Sequence, residues 1–238
     1  MSSEKISSFE EGQVLLFDKP LYWTSFDLVN KVRIIIKSEL GIKKIKVGHA
    51  GTLDPLASGL MIICTGKATK RIEEFRGLDK EYVATVHLGA VTSSCDLETG
   101  ISGRFPVEQI TENLVIETLN GFLGEQMQIP PLHSAKMING KRAYDYARKG
   151  IEIEMTPVTV YFRELELLSF GIPETRIRIL CSKGTYIRSF ARDLGLALGS
   201  GAYLSSLERT MIGSFQLENA LSIEKFGNII QDLKQKQI

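Results

Sequence analysis

The 238-residue chain has only three cysteines, three histidines and one tryptophan. Cys64, Cys95 and Cys181 are odd in number and widely spaced, so they form no disulfide framework, and a reducing cytoplasm is the expected location. No His or Cys pair falls at the short spacing of a zinc site. No apolar run approaches the roughly 18–20 residues that span a bilayer, so no membrane association is expected. The opening "MSSEKISSFEEG" lacks the apolar stretch of a secretory signal, and residues 1–12 are expected to form a flexible tail. "CTGKATK" resembles a phosphate loop only in part: Met61 stands where Walker A needs its first glycine, and Ala68 where it needs Ser or Thr. A serine-hydrolase elbow and a dinucleotide fingerprint are both missing. The chemistry is therefore expected to need no cofactor and no metal.

What is present is ordinary in bulk and uneven in detail. Hydrophobic residues at 43% and charged residues at 24% suit a globular chain with a real core. The net charge is only +1, but it is segregated. Residues 31–49 carry six cations against Glu39 alone. Residues 136–149 carry five against Asp145, and residues 176–192 carry five with no acid. Residues 96–125 hold six acids and one arginine. Such segregation suits either a solvated surface or a polyanion on one face.

Periodicity predicts a strand over 14–17, then a helix capped by Thr24 or Ser25, with a stripe of Phe26, Val29, Val32 and Ile36. "GIKKIKVGHAGTLDPLASG" reads as a long structured loop, "LMIICTG" as a short strand and "GKATKRIEEF" as helical. "KEYVATVHLGA" alternates strictly, with Tyr82, Ala84, Val86 and Leu88 on one face. Residues 107–123 are expected to be an amphipathic helix with Ile110, Leu114, Leu119 and Phe122 inward, closed by Gly124. Two antiparallel strands, a helix from about Tyr186, a last strand over 205–217 and a terminal helix follow. Paired strands favour an α/β (α+β) fold, a mixed and largely antiparallel sheet with peripheral helices and loops. Residues 13–238 are expected to form a single domain.

One carboxylate stands out. In "GHAGTLDPLASGLM", Asp54 lies between Leu53 and Pro55, with glycines at 51 and 59 and no second acid nearby. Asp-Pro is a common turn former. It is also a stiffly presented carboxylate, because proline fixes the backbone and glycine allows a close neighbour. An ionised carboxylate held so is a competent nucleophile or base, and an arginine such as Arg188 in "KGTYIRS" would keep it charged.

"FDKP", "VGHAGTLDPLASGLMIICTGKATK", "DKEYVATVHLG", "INGKRAYDYARKG" and "CSKGTYIRSFARDLG" resemble, in order, successive motifs of the bacterial tRNA pseudouridine synthase B family. The likeness runs from about residue 13 to 216. It implies a pseudouridine-synthase fold and conversion of uridine 55 in the T-arm loop of tRNA to pseudouridine by base flipping. It implies Asp54 as nucleophile, Tyr82 as the phenol stacking on the base, and Arg188 as the arginine paired with the aspartate. His49 matches the histidine that fills the gap left by the flipped nucleotide, Lys19 a lysine near the site and Leu207 an apolar lining residue. Gly51, Thr52, Lys67, Lys141 and Arg142 are expected on the RNA-binding side. Lys136 falls one residue earlier than the family's pattern. The C-terminal PUA domain of many family members is not expected here. A tRNA partner, no obligate protein partner and a monomer follow from the same resemblance. The alternatives are a non-catalytic tRNA-binding or folding protein, and a relative guided by a separate RNA within a ribonucleoprotein.

Overall fold

The computed structural model describes residues 9–134, 136–138, 140–147, 149–151 and 153–235. In chain order the strands are β1 (Val14–Lys19), β2 (Val47–His49), β3 (Ala57–Thr65), β4 (Lys80–Leu88), β5 (Ala90–Thr92), β6 (Ile101–Arg104), β7 (Gly124–Gln128), β8 (Met137–Ile138), β9 (Lys141–Arg142), β10 (Val158–Ser169), β11 (Glu174–Cys181), β12 (Ala202–Ile212) and β13 (Phe215–Gln216). The helices are α1 (Ser25–Leu40), α2 (Ile72–Arg76), α3 (Glu112–Phe122), α4 (Ala143–Ala147), α5 (Ile187–Ala197) and α6 (Ile223–Gln235). The chain groups into two compact units, Met1–Glu81 with Glu208–Ile238, and Tyr82–Leu207. The expected α/β class with a largely antiparallel sheet is what the strands form.

In the first unit β1 runs antiparallel to β3, pairing Val14 with Cys64 through to Lys19 with Gly59, and β2 lies antiparallel on β3 from Val47–Thr65 to His49–Ile63. The β3 run "ASGLMIICT" is almost wholly buried, the pattern of a strand covered on both faces. It starts at Ala57, earlier than the expected "LMIICTG", and its pairing with β1 reaches back to Gly59. The expected loop over 41–59 likewise contains β2. Leu60, Ile62 and Cys64 pack with Ala50, Phe75 and Ile212 in one cluster.

Helix α1 starts from the expected capping box: the Thr24 hydroxyl accepts from Asp27 N, and the Asp27 carboxylate accepts from Thr24 N. Its buried residues are Ser25, Leu28, Val29, Val32 and Ile36. Phe26 is not among them and is 65% exposed. Each three-residue step falls about 60° short of a full turn, so the stripe drifts off the inward face by Phe26. Phe9 is buried, with its ring edge-on to Phe226. Residues 1–8 of the expected tail lie outside the described residues.

In the second unit β11 pairs antiparallel with β10, and β10 with β7. Burial along β4 alternates strictly, with Tyr82, Ala84, Val86 and Leu88 inward as expected. Helix α3 is shorter than its expectation. Thr111 caps it by accepting from Leu114 N, Val115 and Leu119 are its buried residues, and Gly124 opens β7 rather than closing the helix. Phe122, Phe162 and Phe190 form a ring cluster that packs α3 and α5 on β10. The expected strand over 205–217 is the hairpin β12–β13, which turns at Gly213.

Lys19 ends β1 and is fully buried. Its ammonium donates to the carbonyls of Pro20 at 2.9 Å and Trp23 at 2.7 Å, tying both ends of the turn into α1. Burial pushes its pKa from 10.5 down to about 8, against the pull of the Asp54 carboxylate. Folding then expels a proton between those values, and the unfolded chain binds more protons there, so stability rises with pH across that window. Opposite Lys19, Gly59 has a φ of +105°, and a Cβ there would lie 2.4 Å from the Arg209 carbonyl oxygen and 2.7 Å from its nitrogen.

Two outcomes follow. Gly59→Ala should lower stability by about 2–4 kcal/mol in urea denaturation, since clash and dihedral strain add; a loss under about 0.5 kcal/mol contradicts the packing. Between pH 8 and 10.5 the wild type should gain about 3 kcal/mol relative to Lys19→Met, measured by the same method; parallel profiles contradict the buried charge.

Candidate active site

Asp54 is half-buried in the turn between β2 and β3. The turn is held from three directions. The buried Ser25 hydroxyl donates to Leu53 O at 3.0 Å and accepts from Leu53 N at 2.9 Å. Arg209, 1% exposed, reaches in from β12: Nε donates to Leu60 O at 2.7 Å, Nη1 to Thr52 O at 3.4 Å and Nη2 to Gly51 O at 3.4 Å. Tyr22 N donates to Pro55 O at 2.7 Å, and Ala57 N to Asp54 O at 3.1 Å. Every residue from Gly51 to Pro55 thus has its carbonyl engaged. The frame that sequence attributed to proline and glycine is built largely by side chains from elsewhere.

The electrostatics of this turn are cationic. The charges of Asp54 and Arg209 both act on the Lys19 ammonium, in opposite senses. His49, at the end of β2, is half-buried, and its Nδ1 has no hydrogen-bond partner among the described residues. Burial pushes its pKa below the ordinary histidine value, so the imidazole is neutral at physiological pH. A neutral ring suits contact with an unstacked base better than an ion pair with phosphate.

The second unit carries the other three expected residues. Tyr82 lies in β4 and Leu207 in β12, each 8% exposed. Arg188 is 6% exposed in the first turn of α5; its Nε lies 3.4 Å from an Asp96 carboxylate oxygen, and its Nη1 donates to Ser94 O at 3.3 Å. Gln128 fixes the start of α5 with a reciprocal clamp, its amide nitrogen donating to Tyr186 O at 3.1 Å and its oxygen accepting from Tyr186 N at 2.8 Å. The Ser189 hydroxyl donates to Ile129 O at 2.8 Å.

The outlying candidates are more varied. Lys67 is exposed and pairs with Glu11 at 2.7 Å. Lys44 and Lys46 of the first basic run line one hollow with Lys67, Lys70 and Glu10. Lys141 and Arg142 form β9, paired with Ile138 and Met137; Lys141 is exposed, and the Arg142 side chain lies outside the described residues. Lys136 donates to Thr156 O at 2.8 Å and so has a structural tie. The basic run over 176–192 is largely spent within the fold. Arg178 lies 3.0 Å from Glu164 and 2.7 Å from Glu166, Arg188 meets Asp96, and Arg192 meets Asp193. For Arg178 and Arg188 sequence counting could not show this, because their partners come from a neighbouring strand and a distant turn, whereas Asp193 directly follows Arg192.

Ser25, Arg209, Gln128 and Asp96 were not singled out by sequence. One signal existed for Arg209: alternation along β12 places it two residues beyond the buried Leu207, on the same face. Ser25 looked like a helix cap, and only its position opposite Leu53 reveals its second use.

The sequence profile described as TruB family pseudouridylate synthase (N terminal domain) matches residues 37–187. A protein of Phocaeicola vulgatus named tRNA pseudouridine synthase B is 59% identical over 219 residues, covering 92% of this chain and 93% of the relative. A Flavobacterium johnsoniae protein of the same name is 51% identical, covering 93% of this chain and 97% of the relative. Among solved structures, a chain of a Cbf5–Nop10–Gar1 complex superposes with a TM-score of 0.73 at 29% identity; the match covers all of this chain but only 59% of that one. An H/ACA ribonucleoprotein bound to a substrate RNA containing 2′-deoxyuridine gives a TM-score of 0.69 at 27% identity, covering 99% of this chain and 58% of that one. Near-complete matches at over half identity, together with the profile, establish that the chain belongs to the TruB family of pseudouridylate synthases.

Proposed function

We propose that the protein isomerises uridine 55 in the T-arm loop of tRNA to pseudouridine, with Asp54 as nucleophile. The observation that carries the reading is the Asp54 turn, in which every carbonyl from Gly51 to Pro55 is engaged. A carboxylate delivered at fixed position removes much of the positional entropy from the step it enters. The names of the relatives supply the substrate class.

The reaction conserves atoms. The N1–C1′ bond breaks, the uracil turns over, C5–C1′ forms, and the C5 proton is exchanged for one on N1. No electrons are gained or lost. The uridine must leave its stack, which costs a few kcal/mol and needs a compensating pocket. Tyr82 supplies the aromatic face for the target base, and such a stack contributes roughly 1–3 kcal/mol. Arg188, oriented by Asp96, supplies the guanidinium of the reaction. His49 supplies the neutral ring that occupies the vacated stack. The lysines around the hollow at Gly66 grip backbone phosphates, and the T-arm is recognised by shape more than by duplex sequence. The enzyme acts as a monomer in the cytoplasm; among the described residues no helix is long and apolar enough to cross a membrane.

A second reading takes its motive from the solved neighbours, which are ribonucleoprotein components. Identity of 59% to a relative named tRNA pseudouridine synthase B, against 29% to a chain of the Cbf5–Nop10–Gar1 complex, favours the first. Turnover of bare tRNA by the lone chain separates the two.

Tritium release from a C5-labelled T-arm stem-loop tests the chemistry. Asp54→Asn should abolish release while tRNA binding stays within a few-fold of wild type; lost binding would make Asp54 structural. Arg188→Ala should lower turnover by at least about 100-fold, in the range seen when a preorganised charge is removed from an active site. Full turnover in that variant would take Arg188 out of the mechanism.

A further inference from the structure

Tyr22 occupies a backbone conformation that its side chain disfavours. It is the third residue of the turn Pro20–Trp23, closed by Trp23 N on Pro20 O at 3.4 Å, and its φ is +67°. That place in such a turn ordinarily goes to glycine or asparagine. No burial offsets the strain, for Tyr22 is 73% exposed. The turn is nevertheless firmly held. The buried Lys19 ammonium binds both end carbonyls, and Tyr22 N donates to Pro55 O, one residue beyond Asp54. Leu21 before it is 45% exposed, and Phe26, four residues on, is 65% exposed.

Strain kept at an exposed aromatic, on a turn fastened to the Asp54 turn, marks a residue kept for what it touches. What it presents is an exposed aromatic ring on a turn whose backbone is fastened one residue beyond Asp54. A nucleobase fits such a face whatever its identity, because every base offers the same flat surface. We propose that Tyr22 stacks on an unpaired base of the RNA loop next to the everted uridine, holding the loop open around the target. Lys19 and Pro55 hold the backbone that carries the ring. The proposal rests on the reading of the chain as an enzyme acting on the T-arm loop.

The test compares wild type, Tyr22→Gly and Tyr22→Phe. KM and kcat come from tritium release on the T-arm stem-loop, and Kd from the same RNA in the Asp54→Asn background. Tyr22→Gly should fold with a Tm equal to wild type or a few degrees higher, because the strain is relieved. Its KM and Kd should nonetheless rise about ten-fold, within the range of roughly 5–150-fold for one base–aromatic stack, with the loss falling on KM more than on kcat. Tyr22→Phe should recover most of the affinity. A Gly variant with wild-type KM and Kd overturns the proposal and points to a protein partner for the patch. So does a Phe variant as weak as Gly, which would make the hydroxyl the contact. If wild type neither binds the stem-loop nor releases tritium, the underlying substrate reading fails, and this proposal with it.

Discussion

A guanidinium buried among carbonyl oxygens organises the first unit. Arg209 spans Leu60 in β3 and the Gly51–Thr52 segment, so one side chain joins a strand to the turn that carries Asp54. Burying a cation costs several kcal/mol unless its protons are satisfied, and here carbonyls satisfy them rather than a carboxylate. Only arginine has the planar fork that reaches several carbonyls at once. Gly59 follows from the same constraint: the Arg209 backbone comes so close that no Cβ fits.

The second unit uses the same kind of device with other residues. A single amide, Gln128, clamps both backbone groups of Tyr186, much as the Ser25 hydroxyl clamps both of Leu53. In each case a buried polar side chain satisfies a donor and an acceptor that a turn would leave unpaired, and fixes a residue close in sequence to Asp54 or Arg188. Arg188 is then aimed by a carboxylate and a carbonyl on the turn at 94–96. Loops that carry function are held in place by the scaffold around them.

The charge pattern shows how far linear reading reaches. Four lysines from two separate segments meet around one hollow, as a polyanion-binding surface requires. The run over 176–192 looked equally basic, yet three of its arginines are paired within the fold. Phe26 looked inward and faces out, because a stripe built on three-residue steps drifts around the helix. That drift leaves Phe26 exposed, four residues after Tyr22 in the chain.

Sequence alone determined the alternating β4, the capping box before α1, the β10–β11 pair, the start of α5 near Tyr186, and the motifs that mark the family. These are local signals: period-two burial, side chain-to-backbone bonds three residues apart, and short runs in order. It also singled out Asp54. Tertiary structure decided what holds Asp54, since the partners of residues 51–55 lie 28 to 158 residues away in the chain for Ser25 and Arg209. It decided which basic run keeps its charge, and it set the pKa of Lys19, because burial and neighbouring charge depend on distances that only folding creates.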